Sequence, residues 1–264
     1  MDDVLVTGGS GHLGTDVVRL LLERGERVRV LSRTPRAGTD VKTFEGDLAT
    51  GRGIREAASG VRAIVHAATL SPAALRGQVL PVDFVTSPPD VDVDGTRRLL
   101  EEAQRAGVQH FLYISIVGVQ QSRFPYLRRK AQAENIVRSS AVPWTILPAT
   151  PFYWLLARFH DHMTEQRIWF APSNLLMQPG DSAEFAPYVT ERLLAGPAGD
   201  APCFGGPDVL SQGDIARQYQ AARGLHRRIV EFPLPRFAVR ASGPQTCDDG
   251  RRGATTWAQW LAKH

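Results

Sequence analysis

Val4-Leu5-Val6-Thr7-Gly8-Gly9-Ser10-Gly11-His12-Leu13-Gly14 is the stretch that decides the fold. A short apolar strand runs into a glycine-dense turn and then into a helix. That geometry lays backbone N–H groups and a helix N-terminus against a diphosphate. Gly8 and Gly9 are expected to take backbone angles that a Cβ forbids. Gly11 is expected to let the main chain approach the diphosphate, and Gly14 to let the helix pack on the strand it left. The literal G-x-G-x-x-G of Gly9, Gly11 and Gly14 gains its force from following a strand and opening a helix. Thr7, Gly8, Ser10, Gly11, His12, Leu13 and Gly14 are therefore the expected contacts of a dinucleotide.

Working outward, strand and helix patterns alternate over the first 150 residues. Apolar strands are expected at 27–32, 41–45, 63–66, 110–116 and 143–147. Helical spacing runs through Leu13, Val17, Leu20 and Leu21 to Gly25, over 54–58, and over 126–138. Asp92 or Asp94 is expected to cap a helix running through Leu99 and Ala103 to Gly107. Continuous apolar strands between amphipathic helices imply a doubly wound parallel sheet, a Rossmann fold, with ligands at the carboxyl ends of the strands. Residues 1–150 are assigned to the dinucleotide-binding domain. Residues 151–264 are assigned to a small C-terminal α+β part that binds substrate, with a helix near 214–222, a strand at 228–232 and a closing helix at 255–262.

Composition excludes several classes. Hydrophobic content of 43% and charged content of 22% are those of an ordinary globular protein. The formal charge is +4 and the pI about 9.4, but no basic stretch interleaves with aromatics, so no nucleic-acid partner is expected. No apolar run reaches membrane-spanning length, and a cytoplasmic location is the default expectation. Cys203 and Cys247 stand alone in sequence and are expected as buried or idle thiols rather than a disulfide. His160 and His162 at i and i+2 do not share a helix face, so no metal site is expected.

The strand ending Val30-Leu31-Ser32-Arg33 bears on the choice of dinucleotide. An acid there would bond the ribose 2′-OH and repel a 2′-phosphate. Here Arg33 offers a permanent cationic fork and Ser32 a hydroxyl, with Arg36 as a second cation, so NADP(H) is expected over NAD(H). Asp47 and Leu48 follow the third strand, where a carboxylate suits the adenine amino group and an apolar residue covers the ring. Ala67, Ala68 and Thr69 follow the fourth, where small side chains let the backbone pass close to the nicotinamide ribose. His66 reads as a packed, hydrogen-bonded strand residue.

Tyr126-x-x-x-Lys130 opens the helix after the strand that carries Ser115, and residues at i and i+4 share a helix face. With these residues in view the chain resembles the short-chain dehydrogenase/reductase superfamily, and within it the atypical NmrA-like NAD(P)-binding branch. The resembling stretches are Thr7 to Gly14, Gly46-Asp47-Leu48, Val93-Asp94-Gly95-Thr96, Tyr113 to Gly118, Tyr126 to Lys130 with Glu134, and Trp144 to Phe152. The resemblance implies that Tyr126 protonates a carbonyl oxygen during reduction and that Lys130 lowers the phenol pKa and bonds the nicotinamide ribose. It implies that Ser115 orients the substrate oxygen. The chain departs from the family at Pro148, where relatives often carry Arg. The family's catalytic Asn has no clear match, and Asp94 is the nearest candidate.

Two further segments stand out. Residues 70–92, rich in proline, read as a lid or binding rim. Phe152, Tyr153, Trp154, Phe159, Trp169 and Phe170 read as the wall of an apolar pocket. The expected function is NADP(H)-dependent reduction of a small, fairly apolar carbonyl-type substrate. The alternatives are a non-catalytic NADP(H) sensor with a protein partner and, less favoured at this length, a nucleotide-sugar epimerase. Monomer and homodimer both remain open.

Overall fold

The computed structural model describes residues 3–34, 41–70 and 88–264. Strands β1 (Asp3–Thr7), β2 (Val28–Ser32), β3 (Lys42–Glu45), β4 (Val61–His66), β5 (His110–Ile116) and β6 (Trp144–Ala149) pair in parallel in the order β3-β2-β1-β4-β5-β6. That is the Rossmann strand order, which reverses direction beside β1 and opens a crevice at the carboxyl ends there. Shorter strands follow: β7 (Ile168–Pro172), β8 (Leu176–Met177), β9 (Gly199–Asp200), β10 (Phe204–Gly205), β11 (Leu210–Ser211), β12 (Arg228–Phe232) and β13 (Arg251–Arg252). Of these, β9, β10 and β13 return to the main sheet beside β6, all parallel. The remaining four form two small ladders, β11 with β8 and β12 with β7.

Side chains alternate between the two faces of each strand, and both faces are apolar, as a sheet covered on both sides requires. Val4, Val6, Val30 and Val65 pack with Val17 and Leu21 of α1 (His12–Glu23). Leu5, Ile64, Phe111 and Tyr113 face the other way. They meet Ile54 of α2 (Ile54–Ala58), Leu99 of α3 (Thr96–Arg105), and Ala133 and Val137 of α4 (Pro125–Arg138). Four further helices, α5 (Tyr153–Met163), α6 (Ser182–Leu194), α7 (Gln212–Ala222) and α8 (Arg236–Ser242), precede the closing α9 (Trp257–Leu261). Phe185 and Val189 of α6 join the α1 side of the sheet. Tyr153, Leu156, Trp169, Tyr219, Trp257 and Trp260 form a separate aromatic core under α5, α7 and α9.

Two sequence expectations are corrected here. Neither Asp92 nor Asp94 caps a helix. A π-helical stretch, Asp90–Gly95, runs directly into α3, and the wider turn of that stretch places Asp92 inside the protein. Cys203 and Cys247 are a disulfide, with Cα atoms 5.9 Å apart across 44 residues of sequence. Isolated cysteines say nothing about distance through space. Here the parallel pairing of β10 with β13 brings the flanking segments together. Disulfides persist in oxidising surroundings, so the cysteines lend no support to the cytoplasmic default. No helix among the described residues is long and apolar enough to cross a membrane. Of the proline-rich segment 70–92, residues 71–87 lie outside the described residues, as does Arg36, while Pro89 and residues 90–92 belong to the start of the π-helical stretch.

Candidate active site

A single cavity of about 1460 Å³ runs along the carboxyl ends of β1, β2, β4, β5 and β6. Gly8, Ser10, Gly11, His12, Leu13, Gly14, Ser32, Arg33, Asp47, Leu48, Ala67, Ala68, Thr69, Ser115, Tyr126 and Lys130 all line it. Thr7 lies behind the loop, where its hydroxyl meets His66 Nδ1 at 2.6 Å. The fold thus gathers residues that are scattered over 120 positions of sequence.

The β1–α1 turn is built for an anion. Gly8 has φ +72°, and a Cβ there would lie 2.7 Å from the backbone nitrogen of Ala68. A Cβ on Gly14 would lie 2.1 Å from the carbonyl oxygen of Gly8, so the helix starts in contact with the turn it leaves. Gly9 differs from expectation: its φ is not positive, and what a side chain would meet is Val30. No side chain caps α1, whose N-cap is Gly11. Its first-turn N–H groups and the positive end of its dipole therefore remain for a ligand. The dinucleotide that this architecture implies fits these residues: the close approaches leave no room for a Cβ, and the helix end lacks a side-chain partner.

Just past the carboxyl end of β2, Arg33 is exposed at the cavity rim. Ser32 Oγ donates to the Thr34 carbonyl at 3.0 Å, which shapes the turn. Asp47 accepts from the backbone of Ala49 at 2.9 Å. Behind Ala67, His66 is fully packed. Thr96 Oγ1 donates to the Asp92 carbonyl at 2.6 Å, so His66 Nε2 must donate to Thr96 and Nδ1 must accept from Thr7. Burial, with Lys130 nearby, drives the imidazole down to about 3, so it stays neutral.

The centre of the cavity holds a buried polar cluster. Asp92, 1% exposed, accepts from Thr69 Oγ1 at 2.6 Å and from the Leu70 N–H at 3.1 Å. Its carboxylate lies 3.8 Å from Lys130 Nζ. Tyr126 OH is 3.3 Å from Thr69 Oγ1. Lys130 donates to the Ile114 carbonyl at 3.0 Å and lies 4.3 Å above the Tyr113 ring. Burial lowers the Lys130 pKa, against the opposing pull of Asp92 and Glu134. The Tyr126 phenol is shifted upward, first by burial and then by the negative charge of Asp92. This reverses the expected depression by Lys130, because burial, with the Asp92 carboxylate adding to it, disfavours the phenolate. Ser115 lines the cavity, but its hydroxyl donates to Glu134 Oε1 at 2.5 Å.

Asp92 is the residue that sequence reasoning passed over. Asp94, chosen instead, pairs with Arg97 at 2.9 Å on the surface. The signal available was the buried-face spacing of Asp92 and Thr96, four apart, which the cap reading set aside. Pro148 lies inside β6 opposite Ser115, and the lining residues at that end are Ala149, Thr150 and Pro151.

The far wall is aromatic. Phe124, Trp154, Phe159, Trp169 and Phe170 line it, with Met163 and Met177. Tyr153 does not; it packs on Trp257, ring centroids 5.3 Å apart. Trp154 stacks on His12 at 4.5 Å and so joins this wall to the diphosphate loop. His160 is a core residue that stacks on Tyr219 and donates from Nδ1 to Leu156. Five lining residues carry a buried polar atom without a partner among the described residues: Thr150, Trp154, Trp169, Gln212 and Gln245. Each such atom is costly unless a ligand satisfies it.

A family model described as NAD(P)H-binding matches residues 8–152, more than half of the chain, and the chain belongs to that family. The NAD(P)-binding part of the expected resemblance is borne out. Among curated proteins, the chain is 28% identical over 247 residues to an NAD(P)H azoreductase of Xenophilus azovorans, covering 91% of this chain and 80% of that one. It is 36% identical over 152 residues to sterol demethylase protein B of Methylococcus capsulatus, covering 56% of this chain and 40% of that one. A 3-beta-hydroxysteroid dehydrogenase of Mycolicibacterium neoaurum is 37% identical over 113 residues, 42% of this chain and 31% of that one. The matched region is well under two thirds of the length of these last two relatives. A solved nucleoside-diphosphate-sugar epimerase of Staphylococcus aureus superposes with a TM-score of 0.74 at 14% identity, over 98% of this chain and 99% of that one. It shows the shared fold.

Proposed function

We propose that the protein is an NADPH-dependent reductase of an apolar, aromatic-sized carbonyl or related electrophile, with Tyr126 as its proton donor. What carries this reading is the convergence, in one cavity, of an uncapped glycine-turn helix, a buried phenol and an aromatic wall. The relative named as an NAD(P)H azoreductase, similar along nine tenths of the chain, supports the reductase side over an epimerase.

The β1–α1 turn would hold the diphosphate, with Asp47 and Leu48 at the adenine. Arg33 and Ser32 would take a 2′-phosphate, and Lys130 would leave the Ile114 carbonyl for the ribose hydroxyls. A reduced nicotinamide supplies two electrons as a hydride to the electrophilic carbon. The chain's own part is to place, desolvate and protonate. The upward-shifted Tyr126 phenol stays protonated at neutral pH and is suited to donating to a developing alkoxide, while being a poor base. The aromatic wall presses a flat substrate toward the cofactor and excludes water. Ser115, tied to Glu134, stiffens the floor under the substrate oxygen.

The test is NADPH oxidation with menadione, nitrobenzaldehyde and an aromatic azo compound. Tyr126→Phe should slow carbonyl turnover by about 10²–10⁴-fold while leaving NADPH affinity within about twofold. Equal turnover in both proteins removes Tyr126 from the mechanism. Tight NADPH binding with no turnover of any of the three favours the sensor reading instead.

A further inference from the structure

The rim of the cavity opens onto a strip of surface that no step so far uses. In the β7–β12 ladder, paired residues point to the same side. Trp169 and its partner Ile229 face the aromatic core. The outer side shows Ile168 paired with Arg228, Phe170 with Val230 and Pro172 with Phe232. Ile168 is 44% exposed and Phe170 65%. Beyond the ladder the strip continues through hydrogen bonds. The Ser173 N–H donates to the Phe232 carbonyl at 2.9 Å, and Asn174 bonds Leu234 twice, at 2.9 and 2.8 Å. Leu234 leads into α8, where Phe237 is 76% exposed and Arg236 and Arg240 share one helix side. The Arg123 N–H donates to the Ala241 carbonyl at 2.7 Å, which seats the end of α8 beside the exposed Phe124. The strip thus runs from β7 to the start of α4.

Two properties of this strip point to its partner. The first is charge. Segments 122–128, 167–175 and 228–242 hold six arginines, Arg123, Arg128, Arg167, Arg228, Arg236 and Arg240, and one acid, Glu231. That acid lies on the inner side of the ladder and is paired with Arg217. All six arginines are exposed, and none has an ion pair among the described residues. The strip alone carries more than the formal charge of the whole chain, +4. The second property is the cavity. Phe124, Phe170 and Pro172 line it and also belong to the strip, so an apolar interior opens among the arginines. A protein partner seated there would stop the mouth. A lipid surface answers both properties, because phosphates pair with guanidinium groups and phenylalanines enter the boundary between headgroups and chains. We propose that this strip docks the protein on the surface of an anionic lipid bilayer, with the cavity mouth facing the lipid. No helix among the described residues is long and apolar enough to span, so the contact is peripheral. Docking stands apart from the chemistry, whereas entry of an apolar substrate from the bilayer rests on the reductase reading above.

Sedimentation with vesicles tests the docking. Wild type should pellet with vesicles of equal phosphatidylglycerol and phosphatidylcholine at low salt, and release as salt screens the arginines. Its partition into phosphatidylcholine alone should be at least about tenfold weaker. Arg236→Gln combined with Arg240→Gln should weaken partition into the anionic vesicles about tenfold or more, at roughly fivefold per arginine. Phe237→Ser should weaken it at least about fivefold, because less apolar area enters the lipid. These three residues are exposed and off the cavity lining, so both variants should turn over water-soluble nitrobenzaldehyde at the wild-type rate. Wild type that stays in solution with the anionic vesicles overturns the proposal. Equal partition of wild type and both variants also overturns it, since any lipid contact then lies elsewhere. A vesicle-free dimer that Phe237→Ser makes monomeric in sedimentation velocity overturns it too, because the face then belongs to a second copy. Absence of nitrobenzaldehyde turnover in all of these proteins overturns substrate entry from lipid together with the reductase reading, and leaves docking to be decided by the pellet.

Discussion

The two walls of the cavity are built from different materials. One is built on main chain: the turn from Gly8 to Gly14, where backbone contacts at Gly8 and Gly14 forbid a Cβ and every residue but Gly9 lines the cavity. The other is side chain: Phe124, Trp154, Phe159, Trp169 and Phe170, drawn from three separate segments of the chain. A backbone wall suits a group that never varies, the diphosphate, because amides and a helix end recognise any such anion. A side-chain wall can be re-cut by substitution without disturbing the sheet. Under the proposed function the first wall binds what relatives share and the second what this chain selects. Between them the polar cluster of Asp92, Thr69, Tyr126 and Lys130 belongs to neither material.

This contrast is open to attack. The largest effect should come from Gly14→Ala. The new methyl must displace the Gly8 carbonyl or the helix start, since 2.1 Å is far inside contact distance. NADPH affinity by calorimetry should fall at least about thirtyfold, roughly 2 kcal/mol, whereas Trp154→Leu on the facing wall should alter substrate KM and leave NADPH affinity nearly intact. Similar losses of cofactor affinity in both would erase the distinction. On stability, rather than cofactor affinity, the largest effect belongs to the disulfide. Cys203 and Cys247 lie at the far edge of the sheet and do not line the cavity, so Cys203→Ser with Cys247→Ser should cost about 2–4 kcal/mol of stability in denaturant. NADPH affinity of the folded protein should not change. A strong loss of cofactor binding would tie the two regions together.

Smaller still is the contribution of one exposed cation. Arg33→Ser should weaken NADPH binding about tenfold, about 1.4 kcal/mol, and leave NADH binding alone. Equal weakening of both would remove Arg33 from 2′-phosphate recognition. The last prediction concerns acid. His66 is neutral in the fold down to about pH 3 and titrates near 6.5 when unfolded, so the unfolded chain binds the extra proton between those values. The stability this gives is complete above about pH 6.5 and is lost as pH falls toward 3, at up to about 1.4 kcal/mol per unit. His66→Asn, which can still bond both Thr7 and Thr96, should flatten that slope in urea unfolding compared at about pH 7 and pH 4.5. An unchanged slope would contradict the neutral, doubly bonded imidazole.

The same contrast explains what was legible in sequence. The backbone wall was readable because a strand, a glycine turn and a helix are local: Val4 to Gly14 carries the pattern, although Ala67, Ala68 and Val30 also press on the turn. The strand at 110–116 and the helix at 54–58 were readable residue for residue, for the same reason. Tyr126 and Lys130 were readable because i and i+4 share a helix face. What escaped was non-local. The pairing of Cys203 with Cys247 depends on where β10 and β13 meet, which no spacing encodes. Asp92 was mistaken for a cap because Asp before an apolar run is the ordinary cap signal. Only the π-helical turn at Asp90–Gly95 points its carboxylate to Thr69 and Lys130. The sign of the Tyr126 shift escaped because it comes first from burial of the phenol, which helix spacing does not reveal, and then from the charge of Asp92.

The account stands most directly on calorimetric titration of the purified, folded protein with NADPH. Saturable binding at one site per chain, lost in Gly14→Ala while that variant keeps its circular dichroism, is the result it requires. A correctly folded wild-type protein that takes up neither NADPH nor NADH would contradict it.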